Sequence, residues 1–98
     1  SYDKIPQEPL GLIVLKLDGT SFEIEVERTG TVGDIKRAVE STFSYLPEKG
    51  IGRVSWDHVW SQFCLCYDGQ KLLHNSDCMY TFGIRDGDQL NFIRYASN

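Results

Sequence analysis

With 98 residues, 41 % of them hydrophobic and 24 % charged, the chain has the make-up of one folded domain rather than a disordered or fibrous segment. The net charge of −4 divides as −3 over residues 1–30, 0 over 31–60 and −1 over 61–98. That excludes the broad basic face with which proteins hold nucleic acid by phosphate attraction. No apolar run approaches the ~20 residues that cross a bilayer, so neither a membrane partner nor a cleavable leader is expected.

Residues 1–10, with Pro6 and Pro9, read as a tether entering a domain over 11–96. Leu12 to Leu17 reads as a strand, and Asp18-Gly19 after it is a strong hairpin signal. In the returning strand Phe22, Ile24 and Val26 alternate with Glu23, Glu25 and Glu27, which puts the apolar set on the core and the acids in solvent. The first strand breaks that rule, because Ile13 and Leu15 are apolar where a half-exposed strand should be polar. Strands apolar on both faces are usually covered on both, so a second cover besides the helix is expected.

Thr31-Val-Gly-Asp34 has the form of a capping box, and Ile35, Ala38, Val39, Thr42, Phe43 and Leu46 follow at helical spacing up to the stop at Pro47. Lys36, Arg37 and Glu40 fall on the solvated side of that helix. A loop with Gly50 and Gly52 then leads into the aromatic cluster Val54-Ser-Trp-Asp-His-Val-Trp60, whose two Trp at i and i+4 suggest a short helical turn. Phe63, Leu65 and Tyr67 alternate inward in a third strand, Asp68-Gly69 turns it, and Leu90 and Phe92 face inward in a last strand after the Asp86-Gly87-Asp88 turn. All aromatics except Tyr2 lie beyond residue 20, so Ile35, Val39, Phe43, Leu65, Leu90 and Phe92 are expected to centre the core.

Strand, strand, helix, strand, strand is the order of ubiquitin, and three stretches carry the likeness. Thr31 to Val39 resembles the helix entry of ubiquitin-like domains, Cys66-Tyr-Asp-Gly-Gln-Lys-Leu72 their third strand and turn, and Tyr80 to Leu90 their closing segment. The resemblance spans residues 12–94 and implies an α+β, ubiquitin-like β-grasp: a mixed sheet on one main helix. A long aromatic insert separates helix and third strand, about a dozen residues more than in ubiquitin and within functional-loop length. The insert's Ser-Trp-x-x-Val-Trp, with Phe82-Gly-Ile84 and Gly87 to Arg94, is similar to the 25-kilodalton small nuclear ribonucleoprotein family of the minor spliceosome, its plant members in particular. That resemblance implies a nuclear, non-catalytic subunit acting in minor-intron mRNA splicing. Its partners would be the other protein subunits of the particle, with at most a local RNA contact and no small-molecule substrate.

Several residues invite other chemistry. Ser55, Asp57 and His58 hold the residue types of a hydrolytic triad. Within four positions they point apart, and a capped turn carrying Trp56 and Trp60 is the simpler reading. Cys64, Cys66 and Cys78, an odd number with a Cys-x-Cys pair, fit a reduced intracellular chain better than a disulfide framework. With His58 and His74 they would make an atypical zinc set, since Cys-x-Cys on a strand lies outside the usual spacing; no metal or cofactor is expected.

Alignment with ubiquitin instead puts Leu17, Cys66 and Ile93 on its hydrophobic recognition patch, and Ile13, Leu15 and Cys64 extend that outward face. Together with Trp56, His58 and Trp60 these form the expected partner-binding set, the insert either covering the outer sheet face or standing beside it. Two further functions were open to such a domain. A conjugated modifier would need a terminal Gly-Gly where this chain reads Arg-Tyr-Ala-Ser-Asn. An adaptor read by a ubiquitin-type receptor would have to tolerate Cys66 at the patch centre.

Overall fold

Asp18-Gly19 and Asp68-Gly69 each reverse a strand, and the sheet is built outward from these two turns. A computed structural model describes residues 8–45 and 55–95, with the side chains of 43–45 excepted. Most of the tether, the Phe43 side chain, Leu46, the Pro47 stop and the first part of the insert lie outside the described residues. β1 (Leu10–Leu15) pairs antiparallel with β2 (Ser21–Val26), placing Leu12 opposite Ile24 and Val14 opposite Phe22. After α1 (Val32–Tyr45) and a shorter α2 (Trp56–Gln62) come β3 (Phe63–Tyr67), β4 (Gln70–Leu72), a 3₁₀ turn (Met79–Phe82) and β5 (Gln89–Arg94). The strand order is β2-β1-β5-β3-β4, with β1 and β5 parallel at the centre. This is the expected β-grasp, with a mixed five-stranded sheet under the main helix.

Three features differ from the sequence reading. Leu10, in the stretch read as tether, opens β1 and is buried. β4 is an extra strand: Asp68 and Gly69 both take positive φ, which a two-residue type I′ turn requires, and the chain folds straight back onto β3. Three residues are too short for period-2 alternation to show. Finally, α1 does not present a plain solvated side, because Lys36 and Glu40 lie beneath α2.

The core is the set of inward residues of the strands closed by α1. Leu12, Val14, Leu65, Leu72 and Leu90 are fully buried against Ile35, Val39 and Met79, with Ile24, Val26 and Ile84 at the margin and Phe22, Tyr67 and Phe92 packed on it. α1 enters this core with its first backbone donors satisfied. Thr31 N–H donates to Asp34 Oδ2 (3.0 Å) and Asp34 N–H to Thr31 Oγ1 (3.3 Å), the reciprocal box read from sequence. Val32 and Gly33 N–H donate to the carbonyls of Asp77 and Asn75 in the loop after β4. The turn before β5 is pinned from both sides. Asp86 Oδ1 accepts from Gly11 N–H (2.7 Å), and Asp88 Oδ2 accepts from the Tyr67 hydroxyl (2.7 Å) and Arg85 N–H (2.8 Å).

Candidate functional site

The β1–β2 hairpin sets the first candidate residue. Gly19 N–H donates to Lys16 O (3.1 Å), Lys16 N–H to Thr20 O (2.8 Å), and Gly19 sits at φ 90°. That is a four-residue turn closed by a left-handed glycine, with Leu17 at its first corner. Asp18 Oδ1 locks it by accepting from Thr20 N–H (2.9 Å) and from the Thr20 hydroxyl (2.6 Å). A corner side chain cannot reach the core, and Leu17 is 61 % exposed.

α2 stands at the same end of the sheet. Ser55 caps it, its hydroxyl accepting from His58 N–H at 3.4 Å, as the capped-turn reading requires. The i, i+4 spacing then stacks Trp56 on Trp60 at 5.8 Å between ring centroids, and Trp60 in turn stacks on Phe92 at 5.6 Å and 14°. Phe63 meets Phe92 edge-on at 6.4 Å. Trp60 Nε1–H donates to Glu40 Oε2 (2.8 Å), and Lys36 Nζ lies 5.1 Å over its ring. Both faces and the polar edge of Trp60 are therefore engaged within the domain, as a half-buried indole favours. Trp60 ties α2 to α1 and the sheet. Trp56, at the end of the ladder, joins Val59, Phe63, Phe92 and Leu17 around an apolar groove of about 300 Å³, with Lys16 and Asp18 at its rim.

The opposite face of the sheet is a separate surface. Register puts Ile13, Leu15, Asn91, Ile93, Cys64 and Cys66 on that side, between the inward-facing residues of the same strands. The core residues of α1 and the 3₁₀ turn, and the half-buried Trp rings of α2, lie on the other side. Ile13, Leu15 and Ile93 are half-buried, whereas Cys64 is fully buried and Cys66 only 9 % exposed. The nine sequence-selected residues thus divide. Ile13, Leu15, Cys64, Cys66 and Ile93 share the outer face, Leu17 and Trp56 share the groove, Trp60 lies behind it, and His58 is exposed on α2 with Nε2 3.1 Å from Gln62 Nε2. The described part of the insert does not cover the outer face.

Burial pushes the Cys64 thiol up from its usual range, away from the thiolate that a nucleophile or metal ligand needs. Among the described residues no group of three or more His, Cys, Asp or Glu is placed to hold a metal ion, and none of the helices is long and apolar enough to cross a membrane. Sequence reasoning missed Val59, Phe63 and Phe92 as groove residues and Glu40 and Lys36 as the Trp60 clamp. Phe63 and Phe92 looked like ordinary inward residues, and Val59 was only a member of the aromatic cluster. The signal for the clamp was present in Trp56 and Trp60, since a buried Trp needs a hydrogen-bond acceptor.

The structure thus joins an apolar outer strand face and an apolar end groove to a β-grasp scaffold. The chain belongs to the ubiquitin-like domain family, whose sequence model matches residues 2–98. It is 35 % identical over 87 residues to the U11/U12 small nuclear ribonucleoprotein 25 kDa protein of Arabidopsis thaliana. The match covers 87 % of this chain and 53 % of that protein, so the chain spans about half the length of the curated relative. A solution NMR structure of the ubiquitin-like domain of another Arabidopsis thaliana protein superposes with a TM-score of 0.69. It covers 100 % of this chain and 89 % of that one at 16 % identity, a likeness of fold alone.

Proposed function

We propose that this domain is a non-catalytic, protein-binding subunit module of the minor-spliceosome small nuclear ribonucleoprotein, nuclear in location and acting in minor-intron splicing. The observation that carries the reading is the 35 % identity over 87 % of the chain to a U11/U12 particle protein. The two apolar surfaces support it. The outer sheet face offers Ile13, Leu15 and Ile93, and the groove offers Leu17 and Trp56. Cys64 and Cys66 contribute as small apolar floor beneath them. His58 lies on the groove's helix but exposed, as a rim contact, and Trp60 serves the surface by holding α2 in place. An adaptor role toward a ubiquitin-type receptor is less well supported, because Cys66 is too buried to be the centre of a contact patch.

The test is recovery of U11/U12 particle proteins from plant nuclear extract on the immobilised domain, read by mass spectrometry. Wild type should recover them. Trp56→Ala and Ile93→Asp should recover fewer while keeping the wild-type circular dichroism spectrum. Full recovery by both folded variants would remove both surfaces from the reading.

A further inference from the structure

The end of the sheet away from the groove holds an aromatic ring that the fold does not use. Tyr80, in the 3₁₀ turn, is 71 % exposed. The turn keeps it there, because Met79 and Phe82, three positions apart on one side, are buried and packed on the core respectively, which leaves Tyr80 pointing out. Trp60 has both faces and its N–H engaged. The Tyr80 ring makes no stacking or cation–π contact with another described residue, and its hydroxyl no hydrogen bond.

Beside Tyr80, Leu10 and Ile84 form an apolar floor, and Arg28, Arg85, Asp86 and Asp88 complete a cleft of about 560 Å³. Arg28 Nε–H donates to Glu8 O at 2.9 Å, which sets the guanidinium plane and leaves its two terminal nitrogens without a described partner. Arg85 is held through its backbone N–H by Asp88, and its guanidinium forms no ion pair or hydrogen bond with a described residue. Asp86 and Asp88 each commit one oxygen to the fold, and each keeps the other.

The mixture selects the ligand. An acidic peptide would bring its carboxylates against Asp86 and Asp88, and a basic one would meet the two guanidiniums. A nucleotide presents a flat face for the ring, phosphate oxygens for the guanidiniums and N–H donors on the base edge for a carboxylate. We infer that the Tyr80 cleft binds one unstacked nucleotide of a single-stranded RNA, the base against Tyr80 and its flanking phosphates on Arg28 and Arg85. The ribonucleoprotein reading above supplies the source of the RNA, and the cleft adds a site for it. The contact is local, since two guanidiniums reach two phosphates and Glu27 borders Arg28 where a longer track would run. It therefore needs no basic face.

Seven-nucleotide oligo(A), oligo(C) and oligo(U), titrated into the isotope-labelled domain, test it. Shifts should gather at Tyr80, Ile84 and the Nε–H of Arg28 and Arg85, and spare Leu17 and Trp56. Affinity should fall with salt at a log–log slope of about −1.4, which is two phosphates of a single strand. Tyr80→Ala should weaken binding at least about fivefold, the low end for loss of one base stack, whereas Tyr80→Phe should bind as wild type. Arg28→Gln with Arg85→Gln should flatten the salt slope. All three side chains are exposed, so the variants should keep the wild-type circular dichroism spectrum. Absence of shifts at millimolar RNA, shifts only elsewhere, or unchanged affinity of Tyr80→Ala would overturn the inference. So would tighter binding of a glutamate-rich peptide carrying one phenylalanine, which would give the cleft to a protein.

The extract experiment separates this idea from the one beneath it. Tyr80→Ala should leave recovery of particle proteins from ribonuclease-treated extract unchanged, and a loss there would make the cleft a protein contact and overturn the inference. Particle proteins recovered without RNA shifts discard the cleft alone. RNA shifts at Tyr80 without particle proteins keep the cleft and discard the protein-docking reading.

Discussion

On the helix side of the sheet Leu12, Val14, Leu65 and Leu90 are fully buried, while Ile13, Leu15 and Ile93, their neighbours in the same strands, are half-buried. Hydrophobicity does not distinguish the two sets. What differs is the cover: α1, α2 and the 3₁₀ turn all contribute to one face. α2 thickens the side already covered, by inserting an aromatic ladder at the sheet end that α1 leaves open. An apolar residue therefore takes a core position or a half-exposed one according to which side of the pleat it occupies.

The comparison breaks most visibly at Leu65. It pairs with both Leu72 and Phe92 and is fully buried at the centre of the covered face. Leu65→Ala should cost about 4 kcal/mol, in the upper part of the range for buried leucines, read as a shifted urea midpoint. A change as small as roughly ±0.5 kcal/mol, typical of surface sites, would mean that the register is slipped and the cysteines face inward.

Trp60 tests whether α2 belongs to the covered side. Trp60→Ala removes the stack on Phe92 and the bond to Glu40, and should cost about 3 kcal/mol, the low end for a buried Trp because the ring is half-buried. Trp60→Phe keeps a stacking ring and loses only the Nε1–H donor, for about 1 kcal/mol. Near-zero cost for Trp60→Ala would return that ring to the list of partner contacts.

These two residues also show where sequence is sufficient. Leu65 was legible because strict alternation in Phe63, Leu65 and Tyr67 assigns a face without knowledge of any other strand. The capping box was legible for the same reason, being closed within four residues. The side on which α2 packs was not. Nothing local in Val54 to Trp60 states that its acceptor is Glu40, some twenty residues earlier on α1. The groove was hidden likewise, since it needs the hairpin tip, α2 and β5 at one end of the sheet. For the outer face, the pattern of the first strand set Ile13 and Leu15 outward and the likeness to ubiquitin set Ile93 there, which is the side the register gives them, but the burial of Cys64 and Cys66 depends on neighbours across strands.

The α1 entry gives a smaller effect with a pH signature. Thr31→Ala should cost about 1 kcal/mol, the usual loss for an N-cap. The Asp34 carboxyl is held below its ordinary value by the Thr31 N–H and then by the Arg37 guanidinium, and Asp88 is held down by the Tyr67 hydroxyl and Arg85 N–H. A depressed folded-state pKa stabilises above the unfolded value near 4 and loses that contribution as pH falls through the folded value. Urea midpoints should therefore fall on acidification below about pH 4, less steeply in Asp34→Asn. An unchanged slope in that variant would mean that the box does not hold the carboxylate.

The smallest stability effect should come at Leu17, on the hairpin turn at the end of the sheet. The turn geometry rests on Gly19, Asp18 and Thr20, and the Leu17 side chain supplies none of its hydrogen bonds. With 61 % of its surface exposed, Leu17→Ala should change stability by no more than about ±0.5 kcal/mol. Its side chain nevertheless closes one wall of the groove opposite Trp56 and Val59, and shortening it opens that wall to solvent. A partner side chain seated there would lose apolar contact, at about 25 cal/mol for each Å² exposed. Unchanged urea denaturation together with weaker recovery of U11/U12 particle proteins would make the groove a docking site separate from the outer face. If Leu17→Ala and Trp56→Ala both leave recovery intact while Ile93→Asp reduces it, the groove is an incidental gap left by the packing of α2. The sheet face alone would then carry the interaction.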